Sequence, residues 1–172
     1  MQAVAHYIKK QDVRLFFFLH RRMQCLIMDI IMVLVTQMGS LLFACLVSAA
    51  LFLTGRKELA ELAVRIMFIL LLSQLLVHLV KRLVNRPRPY KTFENVIAKH
   101  PPNCKYSFPS GHTSTAFALA IALASTIPGT GIVAYSIASM VGLSRIYLGV
   151  HYPTDVIVGS ATAYAAYLLT CI

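Results

Sequence analysis

Three groups of side chains in this 172-residue sequence have types and spacings suited to chemistry on an anion. The first is Lys81, then six residues, then Arg88-Pro89. The second is Pro109-Ser110-Gly111-His112, and the third is Ser144-Arg145, five residues, His151, three residues and Asp155. Lys81 and Arg88 start on one helix face, and a proline break can turn the guanidinium inward. Taken alone, such a cluster reads as a juxtamembrane headgroup site, the role expected of Arg82 and Arg86. Ser110 can cap a helix, Gly111 lets a ligand approach the backbone, and free N–H groups with the helix dipole attract an anion. Capping does not need His112. His151 and Asp155 are four apart across Pro153. A carboxylate there can hold one imidazole nitrogen and leave the other as nucleophile or base, although that pair alone could equally be structural. Together the groups supply cations, backbone donors and two histidines. That set suits phosphoryl transfer, with electrostatic stabilisers, a nucleophile and an acid.

The elements that carry these residues are apolar. Hydrophobic residues make up 58% of the chain and charged residues 13%, against roughly 25% charged in soluble domains. Disorder is excluded and an ordinary soluble globule is disfavoured. The 16 Lys+Arg against 6 Asp+Glu give a net charge of +10. Apolar segments in lipid and basic segments meeting an anion reconcile the two facts. The length suits one domain, residues 1–172, with the motifs in a core over 81–155.

The expected fold is all-α: a polytopic transmembrane helical bundle of five or six spans with an N-terminal amphipathic interfacial helix. Residues 1–30 form the interfacial segment, where Lys9, Lys10, Arg14, Arg21 and Arg22 interleave with Phe16 to Phe18. The early apolar run Leu15 to Leu19 is too short for a signal peptide. Spans are expected at about 31–53, 59–80, 111–126, 132–147 and 154–171. Gly39-Ser40 is a close-packing point in the first. In the second, Glu61 and Arg65 can pair, and Gln74, His78, Lys81 and Asn85 share one face turned to the bundle interior. His78 is assigned to helix-core packing. His6, His20 and His100 are assigned to the surface, and Tyr147 and Tyr152 to the membrane interface. Cys25, Cys45, Cys104 and Cys171 read as small hydrophobes without a disulfide or zinc pattern. Cys104, in the long 90–108 loop, is expected to be the most exposed of them.

In order and spacing the three motifs resemble those of the type-2 phosphatidic acid phosphatase family, lipid phosphatases and phosphotransferases whose core is shared with vanadium haloperoxidases. The resemblance implies that His151 attacks phosphorus to form a phosphohistidine and that Asp155 orients it. It implies that His112 protonates the leaving oxygen and then activates water. Lys81, Arg88 and Arg145, with Ser110 and the Gly111 amide, would hold the phosphoryl oxygens. No metal and no cofactor are implied, since three cations stand where magnesium acts elsewhere.

The expected partners are a lipid phosphate substrate and membrane lipids, with no nucleic acid and no particular oligomeric state. Among substrates of this class the favoured one is undecaprenyl pyrophosphate, because the 90–108 loop offers little protein to grip a large sugar. Phosphatidylglycerophosphate follows closely, then phosphatidate and lipid A phosphates. Phosphotransfer to a lipid or sugar acceptor would use the same residues. A non-catalytic anionic-lipid binder or transporter is the alternative from another class. The expected location is the plasma membrane, multi-pass, with the active site on the extracytoplasmic face. A count of Lys and Arg gives the opposite sidedness, but Lys81, Arg88 and Arg145 are needed by phosphate and carry little topological information.

Overall fold

A computed structural model describes residues 2–22, 24–102 and 104–170. Its helices are α1 (Gln2–Arg22), α2 (Leu26–Gln37), α3 (Leu41–Leu53), α4 (Lys57–Val84), α5 (Pro89–Thr92), α6 (Gly111–Thr126), α7 (Gly131–Tyr147) and α8 (Pro153–Thr170). Among the described residues the only β feature is an isolated bridge between Pro87 and Tyr106. The all-α expectation holds.

Local chemistry sets the ends of these helices. α4 stops at Asn85, which takes a left-handed conformation (φ 48°), and Pro87 then prevents resumption. Ser110 starts α6 by accepting the Thr113 amide, and Ser40 starts α3 by accepting that of Phe43. α6 lies at the centre, packed against α4, α7 and α8. Its Ala116, Ala118, Ala120 and Ala122 are all buried, and such small side chains let helices approach closely. Leu62, Ile66, Ile69 and Leu70 of α4 and Ala163 and Ala166 of α8 complete that core.

The span expected over 31–53 is not one straight helix. The chain breaks between α2 and α3, whose axes are bent by 55°. The break is a packing device. A Cβ on Gly39 would lie 2.5 Å from Val141 Cγ1 and 2.7 Å from the His112 carbonyl oxygen, so the close-packing role expected of Gly39 is present. By length and composition, α4 is the one described helix able to cross a membrane alone, and α2 with α3 passes as a bent pair. α6 and α7 have 16 and 17 residues, or about 24 and 26 Å at 1.5 Å per residue, short of a roughly 30 Å hydrocarbon core.

α1 is helical and exposes Lys9, Lys10, Arg14 and Arg21 together with Ile8, Leu15 and Phe18. Its other face is not solvated. Asp12, Phe16 and His20, at i, i+4 and i+8, are buried because they dock on α7 and α8. This corrects the surface assignment of His20, whose ring stacks on Phe16 at 5.2 Å and whose Nδ1 bonds the Tyr147 carbonyl at 2.8 Å. Tyr147 and Tyr152 are likewise buried rather than interfacial. Tyr147 gives its hydroxyl hydrogen to Asp29, and Tyr152 lies under Arg86.

His78 is exposed, not in a helix core, and its Nδ1 bonds the Gln74 carbonyl. The α4 polar face is therefore split. Gln74 turns inward, donating to the Gly111 carbonyl and Thr115 Oγ1, whereas His78 and Asn85 face outward. Among the described residues Glu61 and Arg65 form no ion pair. Cys25, Cys45 and Cys104 are all exposed and free, so Cys104 is not distinguished by exposure alone. His100 is exposed as expected. The side chain of His6 and all of Cys171 and Ile172 lie outside the described residues.

Candidate active site

Antiparallel packing brings the C-terminal ends of α4 and α7 beside the N-terminal ends of α6 and α8. Lys81, His112, Arg145, His151 and Asp155, separated by up to 74 residues in sequence, meet there. Arg88 enters from the segment after α4 and is 1% exposed. Its Nε donates to the Cys104 carbonyl at 2.8 Å and its Nη1 to the Val150 carbonyl at 3.0 Å. The same Nη1 lies 3.1 Å from His151 Nε2. A guanidinium can only donate, so Nε2 accepts and the ring proton sits on Nδ1. The Nε2 lone pair of His151 therefore points at Arg88.

Nδ1 faces Asp155 Oδ2 at 3.4 Å. That is longer than a good hydrogen bond, and the buried Nδ1 has only the Ser107 backbone beside it, not a well-formed hydrogen bond. The expected direct Asp155–His151 bond is thus only an electrostatic approach. The carboxylate is held by other groups: Oδ2 accepts the Tyr152 amide at 2.9 Å, and Oδ1 accepts Arg86 Nη1 at 2.9 Å. Burial, and then the charges of Arg88, Arg145 and Lys81, hold the His151 imidazole well below the ordinary histidine range, against a raising contribution from the Ser107 backbone. His151 is neutral at pH 7 and carries the lone pair a nucleophile needs.

Arg145 is also 1% exposed. Its Nη1 donates to Thr36 Oγ1 at 2.7 Å, and its Nε is buried without a partner. Lys81 Nζ donates to the Tyr106 carbonyl at 3.3 Å. None of Lys81, Arg88 and Arg145 forms an ion pair among the described residues. Three cations without an ion-pair partner, two of them buried, beside one carboxylate already paired with Arg86, leave the site short of negative charge. Ser110 Oγ accepts Thr113 Oγ1 at 2.8 Å, and the Ser110 amide donates to the Asp155 carbonyl at 2.9 Å. Ser110 is thereby a brace for the start of α6. The described residues contain no cluster of His, Cys, Asp or Glu arranged to hold a metal.

Arg86 is a correction. In place of the headgroup role expected of it, it pairs with Asp12 at 2.6 Å as well as with Asp155 and stacks over Tyr152 at 3.8 Å. Asp12 and Thr36 went unnoticed in the sequence. Asp12, in the basic α1, carried a faint signal as a lone acid among cations. Thr36, in an apolar run, carried none.

Residues 62–172 match the family model described as the PAP2 superfamily. The chain belongs to that superfamily. The type-2 phosphatidic acid phosphatase resemblance read from the motifs is therefore correct. A lipid A 1-phosphatase of Rhizobium johnstonii is 35% identical over 109 residues, 61% of this chain and 45% of that protein. The chain thus spans about half the length of that curated relative. Among solved structures, Aquifex aeolicus LpxE superposes with a TM-score of 0.82 at 27% identity, covering 92% of this chain and 93% of its own. A PAP2-type phosphatidylglycerolphosphate phosphatase from Bacillus subtilis gives 0.76 at 25%, covering 95% and 84%. All three PAP2 motifs fall within the matched residues. Asp12 and Thr36, which contact Arg86 and Arg145, fall outside them.

Proposed function

We propose that the chain is a membrane-embedded lipid phosphatase that works through a phosphohistidine on His151 and needs no metal. The observation that carries this reading is the charge imbalance. Lys81, Arg88 and Arg145 gather beside a neutral histidine, and among the described residues none of the three is in an ion pair. Leaving a buried cation unpaired costs on the order of several kcal/mol, and a phosphate dianion offsets that cost.

In the reaction, Arg88 moves its Nη1 hydrogen from Nε2 to a phosphoryl oxygen, which frees the lone pair. Nε2 attacks phosphorus and the phosphorus–oxygen bond to the lipid breaks; His112, which takes up a proton from solvent once the phosphate charge is bound beside it, gives that proton to the leaving oxygen. The cations and the amides opening α6 stabilise the charge on the equatorial oxygens. Asp155 stabilises the positive charge that develops on His151. His112, now neutral, removes a proton from water. The resulting nucleophile cleaves the phosphorus–nitrogen bond and releases inorganic phosphate.

The finer reading keeps undecaprenyl pyrophosphate as substrate, with the site on the extracytoplasmic face of the plasma membrane. Its support is the short 90–108 loop and the engagement of the motif cations by phosphate. Lipid A phosphate is a second reading, favoured by the name of the Rhizobium relative. The test is phosphate release in detergent from undecaprenyl pyrophosphate, phosphatidylglycerophosphate, phosphatidate and lipid A, with His151→Ala as control. Release by the wild type and none by the variant is expected. Equal release by both would overturn the assignment of His151, and release from no lipid phosphate would overturn the phosphatase reading.

A further inference from the structure

Asp12 is a carboxylate on a helix otherwise rich in Lys and Arg, yet it is 5% exposed. Its Oδ2 accepts Arg86 Nη2 at 2.6 Å and Thr154 Oγ1 at 2.7 Å. Its Oδ1 accepts the Thr154 amide at 2.9 Å. Thr154 is in the first turn of α8, so Asp12 satisfies one of that helix's free amides and lies at the positive end of its dipole. Arg86 continues the chain. Its Nη1 reaches Thr154 Oγ1 at 2.8 Å and Asp155 Oδ1 at 2.9 Å. Asp155 in turn stands 3.4 Å from His151 Nδ1.

We propose that Asp12 is a positioning residue for the phosphoryl-transfer step, acting through Arg86 and Thr154 on Asp155 and His151. The inference rests on the reading of His151 as nucleophile. Asp12 has two effects. It fixes Thr154, and with it the start of α8 that carries Asp155. It also shares the charge of Arg86, so that Asp155 is not fully neutralised and can still stabilise an imidazolium at His151. Without Asp12, Arg86 has Asp155 as its one carboxylate partner, and the carboxylate does less for His151. The groups facing the His151–Asp155 pair are Lys81, Arg86, Arg88 and Arg145 as cations, His112, Tyr152 and Asp12. Asp12 is thus the second negative charge in a cluster dominated by positive ones. Its removal makes protonation of His151 harder.

The experiment compares wild type, Asp12→Asn, Asp12→Glu, Thr154→Val and His151→Ala in detergent, measuring kcat, KM and the pH profile of kcat. Asp12→Asn should lower kcat about 10- to 100-fold with KM within about twofold, and should move the acidic limb to lower pH. Asp12→Glu restores the charge and should recover part of kcat and return the limb toward wild type. Thr154→Val keeps every charge and the side-chain shape. It should fold and lower kcat several-fold without moving the limb, so it remains informative if Asp12→Asn does not fold. A purely structural contact would reduce the yield of folded enzyme and leave kcat per folded molecule and the limb unchanged. That result, or wild-type kcat in Thr154→Val, would overturn the proposal. Residual turnover in His151→Ala would overturn the underlying reading instead, which keeps the two failures apart.

Discussion

Replacing Arg145 with Met separates binding an anion from holding the fold. Arg145 is 1% exposed, keeps one hydrogen bond to Thr36 and leaves Nε unpaired. For the unliganded protein two contributions oppose each other. Losing a hydrogen bond that involves a charged group costs about 1.5–3 kcal/mol. Removing a buried charge in favour of an apolar side chain of similar size returns about 1–4 kcal/mol. The net is close to zero, so the melting temperature of Arg145→Met in detergent should match wild type within a few degrees or exceed it. Activity behaves differently. One lost donor to the transition state costs about 10²–10³ in rate, or roughly 2.7–4 kcal/mol. Ligand stabilisation supplies a third readout, because vanadate at about 100 times its Kd stabilises a protein that binds it by about 2.7 kcal/mol. Vanadate should raise the wild-type melting temperature and have much less effect on the variant. The sequence has no Trp, so unfolding is best followed with a thiol-reactive dye or by light scattering. If Arg145→Met unfolds many degrees early, as loss of a paired buried charge would by about 3–5 kcal/mol, Arg145 is a structural cation and the charge argument fails.

Three further outcomes follow from the same geometry. A Cβ on Gly159 would lie 2.6 Å from the Ser110 carbonyl oxygen, so Gly159→Ala should push α8 from the start of α6 and lower both turnover and melting temperature, whereas at Gly131 a Cβ meets Ala124 Cβ at an ordinary 3.6 Å and Gly131→Ala should leave turnover unchanged. Because the His151 imidazole is held well below its ordinary value of 6.5, the nucleophile stays neutral in mild acid. The acidic limb of kcat/KM that belongs to it should lie below pH 6.5, and stability should fall as pH drops below 6.5 because the unfolded histidine binds the proton first. A limb at 6.5 assigned to His151 would contradict its burial among cations. Burial pushes the Cys104 thiol up, but the Tyr106 backbone and the Lys81 and Arg88 charges outweigh it and bring it below its usual value. An impermeant maleimide should therefore label Cys104 in intact cells carrying Cys25→Ser, with Cys104→Ser removing the label. Labelling only after lysis would put the active face in the cytoplasm.

The residues proposed to do chemistry are legible because the roles proposed for them depend on type and local spacing. Lys81 to Arg88, Ser110 to His112 and His151 to Asp155 each lie within a single helix end and its adjoining turn, where i,i+3 and i,i+4 geometry is already fixed by the chain. The all-α class was legible from apolar runs broken at Pro and Gly. Contacts between distant segments were not. Asp12 and Arg86 are 74 positions apart and Thr36 and Arg145 are 109 apart, so no periodicity links them, and each reads alone as a surface or core residue. Arg86, two residues before a motif arginine, looked like a spare cation until α1 folded back to meet it. The same folding buried His20, Tyr147 and Tyr152, which hydropathy alone assigns to a surface or an interface. Gly39 announces a close approach, but the groups it approaches, Val141 and the His112 carbonyl, come from segments distant in sequence. Which partner a buried polar group finds is settled by packing, because the cost of leaving it unpaired is felt only once water has been excluded.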